Sequence, residues 1–254
     1  MNDIFVTYPG GKNGSGTFQK IINLMPPHRM YVEPFLGGGA ILRAKRPAEV
    51  NVGIDLSGVV VEGWRLDPPA EIPNLTILHR DGIAWLAENA TTLGRDCLVY
   101  CDPPYLMETR SSHRQLYTFE LADRDEHEGL LAVLLGLPCM VMISGYWSEM
   151  YATRLADWRV YSFQAMTRGG KLATEWVWMN FPAPFELHDY RFLGETFRDR
   201  EQIKRKKLRW RAKLERMPVL ERVALLDAIQ GLRSDNGKDD IVHVGSDRVD
   251  ETTR

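Results

Sequence analysis

The stretch LVYCDPPY, residues 98–105, runs an apolar, strand-forming segment into an acid, two prolines and a tyrosine. Prolines donate no backbone hydrogen bond, so the strand ends at Asp102. Asp102 is left at a strand's carboxyl end, beside a stiff turn that holds the Pro103 carbonyl and the Tyr105 ring in set positions. Similar runs recur at 30–35, 50–56, 75–79 and 140–144, and helical patterns at 40–46, 58–66, 83–93 and 123–137 alternate with them. The last of these helices opens with acids suited to its N-terminal dipole. Such alternation predicts a mainly parallel sheet covered on both faces. Residues 158–165 and 174–181 read as strands flanking TRGGKLA, 167–173, an antiparallel hairpin on one edge. The predicted class is α/β and Rossmann-like: a mainly parallel seven-stranded sheet with an antiparallel edge hairpin.

The surroundings of this core follow from composition. A chain of 254 residues with 44% hydrophobic and 26% charged residues can bury a sizeable core. Beyond a globular part at 1–185, the segment FRDREQIKRKKLRWRAKLER, 197–216, is strongly basic, and Ile203, Trp210, Leu214 and Met217 fall near one helical face. Pro218 breaks the pattern and a second helix follows, so 190–230 reads as a basic helical extension. Residues 231–254 are polar, aperiodic and read as a disordered tail. A net charge of −2 excludes a general polycation and confines any nucleic-acid surface to a local patch. Cys97, Cys101 and Cys139 lack CxxC spacing, which argues for a reducing compartment and against zinc or disulfides; no metal site is expected. His127 and His188 stand alone, without ligand spacing, and read as structural. The start, MNDIFVTYPG, has no basic-then-apolar leader, and no run is long enough for a membrane span, so a cytoplasmic location is expected.

Two glycine clusters invite a phosphate-loop reading. YPGGKNGSGT, 8–17, lacks the order of a triphosphate loop. VEPFLGGGAIL, 32–42, supplies Gly37 and Gly39, but Leu42 replaces the third glycine of a dinucleotide fingerprint. A backbone turn that still lets a ligand approach closely remains. Asp55 ends the next strand, where a carboxylate can bridge a ribose, and Asp81 follows the strand after that, within reach of an adenine edge. A ligand with a ribose, an adenine and no phosphate fits S-adenosylmethionine. The alternative is that Asp55 and Asp81 cap the following helices.

YPGGK, EPFLGGGA and CDPPY, in that order, resemble the Dam-like adenine-N(6)-specific DNA methyltransferases. The likeness spans roughly residues 8–181, with weaker echoes in SGY, 144–146, and EWVWMNF, 175–181. It implies a methyltransferase domain binding S-adenosylmethionine through Tyr8, Gly10, Gly11, Lys12, Glu33, Pro34, Phe35, Gly37, Gly38, Gly39, Asp55, Asp81 and Gly82. In that placement Lys12 sits near the cofactor's carboxylate and Glu33 faces its ammonium. The catalytic tetrapeptide is Asp102, Pro103, Pro104 and Tyr105. An exocyclic amine is a poor nucleophile; the Asp102 carboxylate and the Pro103 carbonyl, each accepting one of its hydrogens, favour attack, while Tyr105 stacks on a base swung out of the duplex. Fuller family members insert a target-recognition domain before the tetrapeptide, for which residues 55–102 have no room.

The implied partner is DNA. Candidate contacts are Arg110, His113 and Arg114 after the tetrapeptide, and Lys204, Arg205, Lys206, Lys207 and Arg209 in the basic helix. Pro138–Cys139 resembles a cytosine-C(5) nucleophile but reads as a buried structural cysteine. Three function classes remain open: a stand-alone bacterial or phage adenine-N(6) DNA methyltransferase, the same chemistry on cytosine N(4) or an RNA base, and a non-enzymatic DNA-binding module.

Overall fold

The computed structural model describes residues 12, 16–109, 121, 123–166, 170 and 172–235. Five parallel strands, β1 (Met30–Glu33), β2 (Val50–Asp55), β3 (Leu75–His79), β4 (Cys97–Cys101) and β5 (Met140–Gly145), are joined by a hairpin of β6 (Arg159–Met166) and β7 (Leu172–Met179). The order across the sheet is β3-β2-β1-β4-β5-β7-β6, and β7 runs antiparallel to β5, pairing Ile143 with Trp178. This is the expected α/β architecture with its antiparallel edge.

Every residue of β4 is buried, which explains its unbroken apolar run: a central parallel strand has no face for water. Its side chains alternate between two cores. Val99 and Cys101 pack with Val32, Val141 and Ile143 under the helices α4 (Gly82–Asn89), α5 (Arg124–Leu135) and α6 (Glu149–Arg154). Leu98 and Tyr100 pack on the other face with Tyr31, Met142 and Val177, under α1 (Thr17–Ile22), α2 (Ala40–Ala44) and α3 (Gly58–Leu66). α5 starts with a reciprocal cap: Asp123 accepts from the Glu126 N–H at 2.8 Å, and the Glu126 carboxylate accepts from the Asp123 N–H at 3.3 Å. The short helices α1 and α6 carry too few turns for a visible period, and sequence patterning missed both. Between β2 and the end of β4 the chain holds only α3, β3 and α4, with no inserted domain.

The chain divides into two compact units, residues 1–200 and 201–254. α7 (Phe197–Glu215) and α8 (Val219–Asp235) are helices, as the basic segment and Pro218 suggest. α8 continues through Gly231 to Asp235; the rest of the expected tail lies outside the described residues. Among the described residues no helix is long and apolar enough to cross a membrane.

A polar latch closes the first unit. His188 donates from Nε2 to the Arg46 carbonyl at 2.9 Å and accepts the His28 backbone N–H at Nδ1, 3.4 Å away. The two imidazoles stack at 3.7 Å. Asp189 accepts the Arg46 N–H at 2.8 Å and pairs with Arg191 at 2.7 Å. Burial, with the nearby Lys45 ammonium, pulls His188 from 6.5 down to about 4 and His28 down to about 2. A depressed folded pKa means that the neutral ring is the one the fold accepts. Stability is therefore full above about pH 6.5 and falls as pH drops through about 4. We expect thermal denaturation to show this loss, and His188→Asn to flatten the melting-temperature profile between those two pH values. An unchanged profile in that variant would show that the ring does not titrate there.

Candidate active site

β1 is flanked by β2 on one side and β4 on the other, so the connections leave it in opposite directions. A crevice forms outside the carboxyl ends of the strands at such a switch point. Glu33 ends β1, Asp55 ends β2, Asp81 lies two residues beyond β3, and Asp102 follows β4. Four adjacent strands thus deliver four acids to one edge.

The glycine turn after β1 is built around Asp55. Its Oδ2 accepts the Gly37 N–H and its Oδ1 the Ser57 N–H, both at 2.8 Å. Gly37 and Gly39 have φ of 47° and 59°, values that favour glycine. The Trp64 indole donates to the Gly37 carbonyl at 3.0 Å, and a Cβ on Gly39 would lie 2.2 Å from the Trp64 ring, so no other residue fits there. Gly82 abuts this turn from α4; a Cβ on it would lie 2.1 Å from the Pro34 carbonyl oxygen. Pro34 is buried, and half-buried Phe35 packs on the core beneath α4 and α5; Gly38 is half-buried. Asp81 caps α4, its Oδ1 accepting from Ile83 and Ala84 at 2.8 and 3.2 Å, while Oδ2 has no partner among the described residues. Burial raises the Asp55 carboxyl above its ordinary value, against the two backbone hydrogen bonds. Both acids therefore organise backbone, and both keep acceptor capacity.

Glu33 is 3% exposed and accepts the Tyr31 hydroxyl at 2.9 Å. Burial pushes its carboxyl up to about 8, and the neighbouring Asp102 charge adds to this. Buried Lys45 lies 4.2 Å from the Tyr31 ring centroid on the same side of the sheet and is drawn down to about 7 by burial.

The turn after β4 is held from three directions. Asp102 Oδ1 accepts from Lys12 Nζ at 2.7 Å and from Ser144 Oγ at 3.0 Å, and Ser144 in turn accepts from the Tyr100 hydroxyl at 2.9 Å. Asp102 Oδ2 has no partner among the described residues, and the side chain is 18% exposed. The ammonium of Lys12 also reaches Glu175 Oε1 at 3.0 Å and the Tyr105 hydroxyl at 2.5 Å. The same hydroxyl donates to Glu175, 3.1 and 3.2 Å from its two oxygens. Burial alone would lower Lys12, but the Asp102 and Glu175 carboxylates hold it well above its ordinary value. Burial raises Glu175 against the Lys12 charge, with Asp102 adding to the rise. Tyr105 packs against Tyr146, with ring centroids 4.3 Å apart and planes tilted by 36°, and both line a small recess with Pro103, Leu106 and Ser144.

The sequence-derived candidates are thus spread unevenly. Glu33, Asp55, Asp81, the glycine turn, Asp102 to Tyr105 and Lys12 share the carboxyl edge of the sheet. Lys12 sits at the β4 turn, where its three protons already have three acceptors; a ligand carboxylate would have to compete for one. Tyr8, Gly10, Gly11, Arg110, His113 and Arg114 lie outside the described residues. Lys204, Arg205, Lys206, Lys207 and Arg209 are exposed on α7, in the second unit. Cys139 is buried and precedes β5, at the end opposite Ser144. Among the described residues no cluster of potential metal ligands occurs. Sequence reasoning assigned no role to Glu175, Ser144, Tyr100 or Tyr146. The available signal for Glu175 was an acid inside an otherwise apolar strand; for Ser144 and Tyr146 it was SGY at the end of another.

No protein-family model and no curated protein matches the sequence. Solved structures resemble it in chain architecture. A SAM-dependent methyltransferase from Agrobacterium tumefaciens has 12% identity and a TM-score of 0.42 over 65% of this chain and 60% of its own. A Legionella pneumophila protein has 10% identity and a TM-score of 0.46 over 68% of this chain and 86% of its own. An rRNA methylase from Streptococcus thermophilus has 10% identity and a TM-score of 0.39 over 63% of this chain and 92% of its own. The chain spans 60% of the Agrobacterium protein's length.

Removing the shared cation would leave two carboxylates buried against each other. Lys12→Met is expected to cost roughly 3–5 kcal/mol in urea denaturation, with Glu175→Gln in the same chain restoring part of it. Equal stability of the single and double variants would show that the two acids do not interact through Lys12.

Proposed function

We propose that the chain is a methyltransferase that uses S-adenosylmethionine to methylate the exocyclic N(6) amine of adenine in DNA, akin to the Dam-like enzymes. The observation that carries this reading is Asp102: one carboxylate oxygen is held by Lys12 and Ser144, and the other is open beside a proline-stiffened carbonyl at the switch point. The residues along the edge fit the donor. The Gly37–Gly39 turn allows close backbone approach, and Asp55 and Asp81 retain lone pairs for a ribose and an adenine amine. Glu33 is an acid beside that turn, suited to an ammonium. When bound, S-adenosylmethionine supplies an electrophilic methyl group on a sulfonium.

The chain's own contribution is to make a poor nucleophile attack. An adenine amine has its lone pair delocalised into the ring. Asp102 Oδ2 and the Pro103 carbonyl each accept one amine hydrogen, drawing the nitrogen towards a tetrahedral shape and stabilising the growing positive charge. Lys12 and Ser144 fix the carboxylate in advance, so little reorganisation is needed. As the new N–C bond forms and the donor's S–C bond breaks, the amine sheds one proton, which Asp102 Oδ2 is suited to accept. Tyr105 offers its ring to a base that has left the duplex. The exposed basic run of α7 suits the phosphate backbone.

Incubating the protein with DNA or RNA and the donor, followed by nucleoside mass spectrometry, is expected to yield N(6)-methyladenine from DNA. Asp102→Ala is expected to cut this at least 100-fold while donor affinity by calorimetry stays within about threefold. Absence of any methylated nucleoside, or full activity in that variant, would refute the proposal. Neutralising Lys204, Arg205, Lys206 and Lys207 together is expected to weaken DNA binding and to shallow its log–log salt slope by up to about 3.6. An unchanged slope would remove α7 from the interface.

A further inference from the structure

The two tyrosines at the recess are held very differently. Tyr105 is anchored through its hydroxyl by Lys12 at 2.5 Å and by Glu175 at 3.1 Å. Tyr146 is half-buried on the connection between β5 and α6, and its hydroxyl makes no hydrogen bond among the described residues. What holds its ring is the face of Tyr105, at 4.3 Å and a tilt of 36°. One ring is therefore fixed and its neighbour rests on it. Both line the recess that Pro103 and Ser144 border, and Ser144 in turn hydrogen-bonds Asp102 at 3.0 Å.

We propose that Tyr146 is the movable half of an aromatic clamp that takes a planar nucleobase between its ring and the fixed ring of Tyr105. The proposal rests on the reading of the site as a nucleobase amino-methyltransferase, and it names the substrate-binding element which that reading leaves open. A base held between two rings needs two van der Waals gaps of about 3.5–4.0 Å each. A spacing of 4.3 Å leaves no room for it, so Tyr146 must swing out as the base enters. In the empty protein the Tyr146 ring stands in for the base and covers the apolar face of Tyr105. Entry of the base exchanges one ring contact for two, so the clamp opens without uncovering that face to water. Because every base has a π-face, such a clamp sets the plane of the substrate; its identity is left to the groups that meet its amine edge.

The test is steady-state kinetics on an adenine-containing single-stranded oligodeoxynucleotide with a labelled methyl donor. A single strand removes the cost of base extrusion from the comparison. Tyr146→Ala is expected to lower kcat/KM for the oligonucleotide about 5- to 150-fold, the range found when a stacking ring is truncated. Donor affinity and melting temperature should stay at wild-type values. Tyr146→Leu, which keeps apolar bulk without a π-face, should be impaired like Tyr146→Ala, and Tyr146→Phe should recover the activity that Tyr146→Ala loses. Wild-type kinetics in Tyr146→Ala or Tyr146→Leu would overturn the clamp while leaving the methyltransferase reading intact, as would a Tyr146→Phe variant as impaired as Tyr146→Ala. A wild-type protein that methylates no nucleobase would overturn both.

Discussion

One ammonium, that of Lys12, is shared by two carboxylates that the sheet forces together. Asp102 arrives at the end of β4 and Glu175 on β7, one strand beyond β5, and both are largely withdrawn from water. Two acids so placed repel each other and are costly to bury alone. The lysine, 90 residues earlier in the chain than Asp102, reconciles them and at the same time ties down Tyr105. Site geometry and local stability are thus a single electrostatic arrangement. The β4 turn and β7 are tied together by the one cation of Lys12.

Around that arrangement, division of labour within each acid is a recurring theme. Asp102 gives one oxygen to Lys12 and Ser144 and keeps the other open. Asp81 gives one oxygen to the first turn of α4 and keeps the other open. Asp55 binds backbone on both oxygens, tying the glycine turn to the start of α3. Capping and ligand binding had looked like rival roles for Asp55 and Asp81, but a carboxylate has about four acceptor sites and backbone capping uses only some of them. Pinning one part of the group is what gives the remaining part a defined direction.

The latch at His28, His188 and Asp189 follows the same economy away from the β4 turn. It needs a neutral His188 because one of its ring nitrogens accepts the His28 backbone N–H. Buried Lys45 nearby reinforces that requirement, since a second positive charge there would be repelled. The carboxyl edge of the sheet is organised around a shared cation, the latch around a neutral imidazole beside the Asp189–Arg191 ion pair.

Strand positions, both sheet faces and the acid at each strand end were legible in the chain because central parallel strands buried on two sides are continuously apolar, and because proline ends β1 and β4 at a fixed residue. The basic helix and its break at Pro218 were legible for equally local reasons. α1 and α6 were not, since six residues give no period to detect and, among the described residues, neither follows a strand and glycine turn as the five-residue α2 does. The site divided along the same line. Asp102, Lys12 and the glycine turn stand in motifs whose local chemistry is unusual; Glu175 and Tyr146 stand in weaker echoes, EWVWMNF and SGY, that assign neither a role. Only the tertiary structure decided that an acid on β7 meets a lysine near the N-terminus and a tyrosine after β4. The reason is physical: a hydrogen bond or a ring contact depends on proximity in space, and Lys12 and Glu175, 163 positions apart in the chain, are brought to 3.0 Å by the tertiary fold, which no local pattern encodes.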